Sequence, residues 1–393
     1  MTKTIITLNE VKRNNLRSVL DLLLRSDGLS RIEIAGKLGC DNTTVSRAVR
    51  ELIDRGIINT GSKNGSSNGR PRVALQVNPD GPLLLGIALE PDNICGVLTD
   101  LKSKVLRMEK IRFRHCSSQQ EYLDTAVEVI GKLKIAAGNK LAGIGATVFG
   151  SYFGKEAILE KAAALPILNG VKLQEFFDHA AEKEVIICDH SVATATFLTR
   201  SNAALTAGDV MLITVGNGLG IVLLRNGKRI FNRGNHGGEF GHTVIPGGGK
   251  CACGRHGCLE TLVSTPALLK KYREITGNEI TPEKLASEFQ SGDPAAEKII
   301  SSAASILGKA IAGQLNNYPV DKLAVSGEIL KFGSCFQNLL QKSIESELFS
   351  STKEYLQFCF PQSSSDDTLA IGASMLAAEN YVANFDHVND SAE

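Results

Sequence analysis

The chain has 393 residues, 43% of them hydrophobic, and a formal net charge of +1, which gives room for two or three domains with buried cores and excludes a polyelectrolyte. It contains no uninterrupted run of about 18 apolar residues and no apolar core behind Met1-Thr2-Lys3-Thr4, so neither a membrane span nor a secretory signal is expected and the cytoplasm is the expected location. Charge is uneven: residues 1–80 carry 13 Lys plus Arg against 8 Asp plus Glu, leaving 30 against 34 for the rest, a basic front end on a mildly acidic body.

In chain order, Leu16, Val19, Leu20, Leu23 and Leu24 fall at helical spacing and predict a first helix ending near Asp27-Gly28. Ser30-Arg31-Ile32-Glu33 is a capping box that opens a second helix, with Ile34 and Leu38 on its buried side and Gly39 closing it. After Cys40-Asp41-Asn42, a third helix buries Val45, Ala48, Val49 and Leu52. Its opposite face carries Thr43, Thr44, Ser46, Arg47 and Arg50, small polar and cationic groups suited to the major groove of double-stranded DNA. Strand-like residues 57–60 and 73–77 bracket a Gly/Ser-rich loop and predict a hairpin wing, from which Lys63, Arg70 and Arg72 would reach the DNA backbone or a minor groove. A small helical oligomerisation domain is the competing reading of the same helices.

From Pro82 onward, strand-like runs at 83–89, 95–99, 141–148, 184–188 and 210–215 alternate with helical ones such as 121–137, the pattern of an α/β body. Glu239-Phe240-Gly241-His242 then precedes Cys251-Ala252-Cys253-Gly254-Arg255-His256-Gly257-Cys258-Leu259-Glu260. Three thiols and a nearby imidazole suit one tetrahedral Zn²⁺, held by Cys251, Cys253, Cys258 and a fourth ligand. Both His242 and His256 are candidates for the fourth; His242 is favoured because it ties a separate segment to the knuckle, whereas His256 sits inside a tight turn. The other six cysteines are scattered singly, as expected of reduced thiols.

E-x-G-H followed by C-x-C-G-x-x-G-C-x-E resembles the signature of the ROK family of repressors and sugar kinases, and the likeness extends from the first helices to Gly372. The front end, with Gly69-Arg70-Pro71 after the wing, is similar to the winged helix-turn-helix of its regulator branch. The resemblance implies an α/β body of two actin- and sugar-kinase-like (ribonuclease H-like) lobes with a cleft. The expected domains are a DNA-binding head (1–80), a first lobe (81–190 plus 366–393) and a second lobe (191–365) with the zinc knuckle and a dimerisation surface.

By resemblance, Asp189 stands at the family's catalytic base, although Cys188-Asp189-His190-Ser191 departs from N-D-A-N on both flanks. Glu239, His242 and Glu260 match its sugar-hydroxyl contacts, and His242 would serve zinc and sugar with different ring nitrogens. Asn169 is a weak match for the family's sugar-contacting asparagine. The family's kinases begin this body with D-x-G-G-T; here the place reads Ala88-Leu89-Glu90-Pro91-Asp92, without the glycines that let backbone approach phosphate, so ATP binding is expected to be lost and no residue is expected to be catalytic. Gly216-Asn217-Gly218-Leu219-Gly220 resembles a second phosphate loop but reads equally well as a close-packed turn. The expected function is a sugar-responsive transcriptional regulator, a dimeric repressor, with a sugar kinase bearing an accessory head as the alternative and a zinc-stapled interaction protein third.

Overall fold

The structure is a computed structural model that describes residues 8–64, 72–113, 116, 118–162, 165–230, 236–361 and 367–384. The head is three helices and a hairpin: α1 (Leu8–Leu24), α2 (Arg31–Leu38), α3 (Asn42–Asp54), β1 (Ile58–Asn64) and β2 (Arg72–Val77). The capping box forms, with the Ser30 amide donating to Glu33 Oε2 at 2.8 Å and the Ser30 hydroxyl accepting from the Glu33 amide. Gly39 closes α2 in the left-handed region, φ 63°, where a glycine costs least. Antiparallel β1 and β2 are joined by Leu29, which exchanges two backbone hydrogen bonds with Leu75. The first helix stops at Leu24, earlier than its periodicity predicts, and β1 runs on to Asn64. Arg70 and the side chains of Lys63 and Arg72 lie outside the described residues.

Beyond the head come β3 (Leu83–Leu89), β4 (Asn93–Asp100), β5 (Val105–Arg112), α4 (Gln119–Ala137), β6 (Leu141–Val148), β7 (Ser151–Phe153), β8 (Ile158–Lys161), α5 (Leu173–Ala181), β9 (Val185–Asp189) and α6 (His190–Ser201). They are followed by β10 (Asp209–Val215), β11 (Leu219–Arg225), β12 (Lys228–Arg229), α7 (Glu260–Val263), α8 (Thr265–Thr276), α9 (Pro282–Ser291), α10 (Pro294–Asn317), β13 (Lys322–Ser326), α11 (Gly333–Glu347), α12 (Ser350–Lys353), β14 (Gln357–Cys359) and α13 (Thr368–Ala383). Two five-stranded sheets result, ordered β5-β4-β3-β6-β9 and β12-β11-β10-β13-β14. Counting each sheet's own strands, both read third, second, first, fourth, fifth, so the two sheets share one order. In the second, β10, β11 and β12 are antiparallel while β10, β13 and β14 are parallel. Uniform burial of β3 and β4 explains their unbroken apolar runs: a strand covered on both faces shows no alternation.

The chain forms two compact units, one of Met1–Ala146, Glu175–Ile186 and Ala373–Glu393, the other of Thr147–Gln174 and Ile187–Gly372. In the first, the head's interior is completed by the body. Leu16, Val19, Leu20 and Leu23 of α1 belong to one buried cluster with Leu84, Leu101, Ala377, Ala378 and Val382. Lys102 Nζ adds a hydrogen bond to the Ser26 carbonyl at 2.9 Å. α13 lies flush on β6 because any Cβ at Gly145 would collide with the Ala373 backbone. In the second unit, α8 to α11 and the sheet share one core that includes Leu268, Phe289, Ile300, Leu307, Phe336 and Leu340.

Candidate functional site

The cysteine knuckle is shaped by its backbone. Ile245 N–H donates to Gly257 C=O at 2.7 Å and Leu259 N–H to Thr243 C=O at 2.9 Å, so the segment after His242 is paired with the segment holding Cys258. Gly254 and Gly257, at φ 87° and 89°, make the turns that fold Cys251 and Cys253 back onto it. As a result His242 Nδ1 stands 3.7 Å from Cys251 Sγ, Cys253 Sγ stands 3.6 Å from Cys258 Sγ, and the four ligand atoms all lie within 4.8 Å of one another.

A tetrahedron with metal–sulfur bonds of about 2.3 Å places its ligand atoms roughly 3.8 Å apart, so the four donors fit a tetrahedral metal ion. The Cys253 amide also points at Cys251 Sγ, 3.4 Å away. Burial pushes the Cys251 thiol up to about 12, whereas at Cys253 burial is outweighed by hydrogen bonds from Arg255 and the neighbouring cysteines, leaving it at about 7. A cation would supply the charge that these buried sulfurs lack. Of the two candidate imidazoles, His256 is exposed and stands outside this cluster.

Two carboxylates, Glu239 and Glu260, adjoin the cluster, and a third, Asp189, lies in the same unit. Asp189 ends β9 and caps α6: Oδ1 accepts from the Val192 amide at 2.8 Å and Oδ2 from the Gly237 amide. Glu239 Oε2 lies 3.8 Å from His242 Nε2, so the two nitrogens of His242 face a sulfur and a carboxylate respectively. Glu260 opens α7, with Oε1 3.9 Å from Cys251 Sγ. Burial raises the Asp189 and Glu260 carboxyls, and at Asp189 the two backbone hydrogen bonds oppose it, whereas Glu239 is largely exposed. Asp189 and Glu260 therefore gain from a polar ligand that replaces lost water. Asn169 is exposed and its Oδ1 accepts from the Ala162 amide at 2.8 Å, which leaves its amide nitrogen and one oxygen lone pair for a ligand.

Within the 216–220 turn, Gly220 and, less sharply, Gly218 are explained by their neighbours. A Cβ at Gly220 would fall 1.7 Å from Ser191 Oγ, and one at Gly218 would fall 3.2 Å from Glu260 Oε2. Gly216 faces Glu328, whose Oε2 would be 3.8 Å from such a Cβ. Gly220 and Gly218 thus admit the Ser191 and Glu260 side chains, and the Glu328 carboxylate faces Gly216 at ordinary contact distance. In the first unit, the 90–93 segment is a closed turn: Glu90 N–H donates to Asn93 C=O at 2.9 Å, and Asn93 Nδ2 reaches both Glu90 Oε2 and Asp92 Oδ1 at 3.0 Å. Tyr122 Oη seals it with a 2.7 Å hydrogen bond to the Glu90 carbonyl.

Sequence reasoning overlooked Tyr152 and His236. Their rings pack with centroids 4.0 Å apart, next to Asp189. No spacing rule links a residue of β7 to one that precedes the E-x-G-H motif.

On the head, Asp41 caps α3 by accepting from the Thr43 and Thr44 amides, both at 2.8 Å, and its second oxygen accepts the Thr44 hydroxyl at 2.7 Å. These bonds hold the Asp41 carboxyl below its usual range. Thr44 and Ser46 are half-buried, while Thr43, Arg47 and Arg50 are exposed. Of the two acids on this helix, Glu51 is paired with Lys12 and Arg55. Arg47 and Arg50 make no ion pair with any described residue.

The model of the ROK family matches residues 84–380, and a winged helix-turn-helix DNA-binding model matches residues 12–59. A xylose repressor of Caldicellulosiruptor bescii is 25% identical over 359 residues, covering 86% of this chain and 89% of its own. Among solved structures, a ROK family transcriptional regulator described as a homolog of the E. coli MLC protein superposes with a TM-score of 0.79 at 23% identity, over 95% of this chain and 97% of its own. A ROK family glucokinase from Streptomyces griseus, in complex with glucose and AMPPNP, gives a TM-score of 0.65 at 20% identity, over 76% and 99%. The chain therefore belongs to the ROK family and carries an N-terminal winged helix-turn-helix.

Proposed function

We propose that the protein is a sugar-responsive transcriptional repressor: a homodimer whose heads bind a two-fold operator and whose bodies bind a sugar or sugar derivative that changes head spacing. The head is residues 1–80, the first lobe 81–190 plus 366–393, and the second lobe 191–365. The observation that carries this reading is the pairing, in one chain, of an α3 face whose Arg47 and Arg50 make no ion pair among the described residues with a group of polar side chains, Asp189, Glu239, His242 and Glu260, in one unit. The xylose repressor supports it as a relative that aligns over most of both chains.

Thr43, Thr44, Ser46, Arg47 and Arg50 would enter the major groove, with Thr44 presenting its methyl because its hydroxyl is held by Asp41. Lys63, Arg70 and Arg72 would contact phosphates from the wing. Half-sites must match the distance between heads, so a movement of a few ångströms would release DNA. Zn²⁺ held by His242, Cys251, Cys253 and Cys258 would supply fixed geometry and charge balance. His242, with its Nδ1 so engaged, would offer Nε2 to a hydroxyl beside Glu239. No helix among the described residues is long and apolar enough to cross a membrane, in keeping with a cytoplasmic DNA-binding protein.

The alternative is a sugar kinase, with Asp189 as the base. Against it stand the glycine-free turn at 90–93, closed by its own side chains, and the carboxylates Glu260 and Glu328 against the second glycine turn, where phosphate would be repelled. Capture of genomic fragments by the purified protein, with and without a sugar panel, tests the proposal. Absence of any preference over bulk DNA at physiological salt refutes it, and sugar-dependent ATP turnover above background would revive the kinase.

A further inference from the structure

The Tyr152–His236 pair meets no need of the metal cluster, and its surroundings explain what it is for. Tyr152 sits on β7 and is 7% exposed, so its ring is part of the interior rather than a mobile surface group. His236 is half-buried and lies on that ring, with an interplanar angle of 38°. The backbone beyond it is pinned twice. Gly237 N–H is bound to Asp189 Oδ2, and Gly238 exchanges two backbone hydrogen bonds with Ile221, at 2.7 and 3.3 Å.

An imidazole fixed by a ring stack and by two adjacent backbone anchors has lost its rotamer freedom in advance, which is the condition under which one hydrogen bond discriminates between ligands. Among the described residues, the acids that interact with His236 are Asp189 and Glu239, and the ring stacked on it is Tyr152. The residue after His236 is bound to Asp189 through its amide, and a Cβ at Gly237 would lie 3.4 Å from Asp189 Oδ2, so the ring is carried at the rim of that carboxylate. Asp189 has both oxygens engaged by backbone amides and can offer a ligand only its remaining lone pairs. His236 adds a donor-or-acceptor nitrogen beside it.

We propose that His236, held on Tyr152, is a ligand-contacting residue of the sugar site that hydrogen-bonds a ring hydroxyl near Asp189 and helps to set which sugar is accepted. This rests on the reading of Asp189, Glu239, His242 and Glu260 as a sugar site. The ligand class is an uncharged, hydroxyl-rich ring. Vicinal hydroxyls can donate to Asp189 and Glu239 while exchanging a hydrogen bond with the imidazole, whereas a phosphate placed between those carboxylates would be repelled.

The test is calorimetric titration of the full-length protein with D-glucose, D-xylose and N-acetyl-D-glucosamine, for the parent, His236→Ala, His236→Phe and His236→Gln. His236→Phe keeps a ring on Tyr152 and loses the hydrogen bond; His236→Gln does the reverse. For the sugar bound by the parent, Ala and Phe are expected to weaken affinity about tenfold, the loss of one hydrogen bond, and Gln to stay within about threefold. Zinc content and melting temperature report folding for each variant. If His236→Ala does not fold, the contrast between Phe and Gln decides. Parent-like affinity in His236→Phe overturns the proposal and leaves the sugar reading intact, and so does a ranking in which Gln is as weak as Phe. A parent that binds none of the three sugars overturns both.

Discussion

Leu101→Ala tests whether the head is an independent appendage or shares its core with the first lobe. Leu101 is 0% exposed and follows directly on β4, yet it belongs to the same buried cluster as Leu16, Leu20 and Leu23 of α1. Truncation removes three buried carbons, about 2.4 kcal/mol at roughly 0.8 kcal/mol each. The cavity left behind raises the expected cost to about 3–5 kcal/mol, because backbone on both sides restricts collapse. The neighbouring ion pair is a matched contrast: Lys102 bonds to Asp27, but that carboxylate is fully exposed, so Lys102→Ala should change stability little. Native-state hydrogen exchange followed by mass spectrometry reads the outcome peptide by peptide. Leu101→Ala should accelerate exchange in the C-terminal half of α1 and in β4 together, by roughly a hundredfold for a loss of about 3 kcal/mol. If β4 loosens while α1 keeps its parent protection, the shared cluster is not a cooperative unit and the head is an independent appendage after all.

Arg47→Ala and Arg50→Ala should each weaken operator binding, by about 1–3 kcal/mol where a bidentate base contact is lost, with unchanged melting temperature; unaltered affinity in both variants means that α3 presents another face to DNA. Cys253→Ser should release the metal and loosen the 236–260 region, and a variant with full zinc content by elemental analysis would refute that ligand. Asp189→Asn is isosteric but supplies a single acceptor oxygen for two amide donors, so one of the Val192 and Gly237 amides loses its partner, at a cost of about 1–3 kcal/mol. The pH dependence has a definite sign. Burial places the folded Asp189 carboxyl above its ordinary value of 3.8, so its stabilising contribution is complete below 3.8 and is lost as pH rises through the raised folded value. Denaturant melts across that interval should therefore show a shallower fall for Asp189→Asn than for the parent, and parallel curves would refute the assignment.

Short-range chemistry was legible from the residues alone. The periodic leucines of α1, the Ser30–Glu33 capping box and the apolar face of α3 each depend on contacts a few residues apart, and so does the convergence of Cys251, Cys253 and Cys258 across turns that Gly254 and Gly257 allow. Element ends were less legible, since the stop of α1 at Leu24 depends on how the following segment pairs with β2 through Leu29 and Leu75. Long-range placement could not be read at all. Which imidazole joins the sulfurs was decided by the pairing of residues 243–245 with 257–259, and the use of Gly218 and Gly220 by what α6 and α7 bring against them. The stacking of His236 on Tyr152, and the completion of the head's core by Leu84, Leu101 and Ala377, join residues far apart in the chain. Such contacts leave no periodic mark, because they depend on the path of the whole backbone rather than on any local spacing.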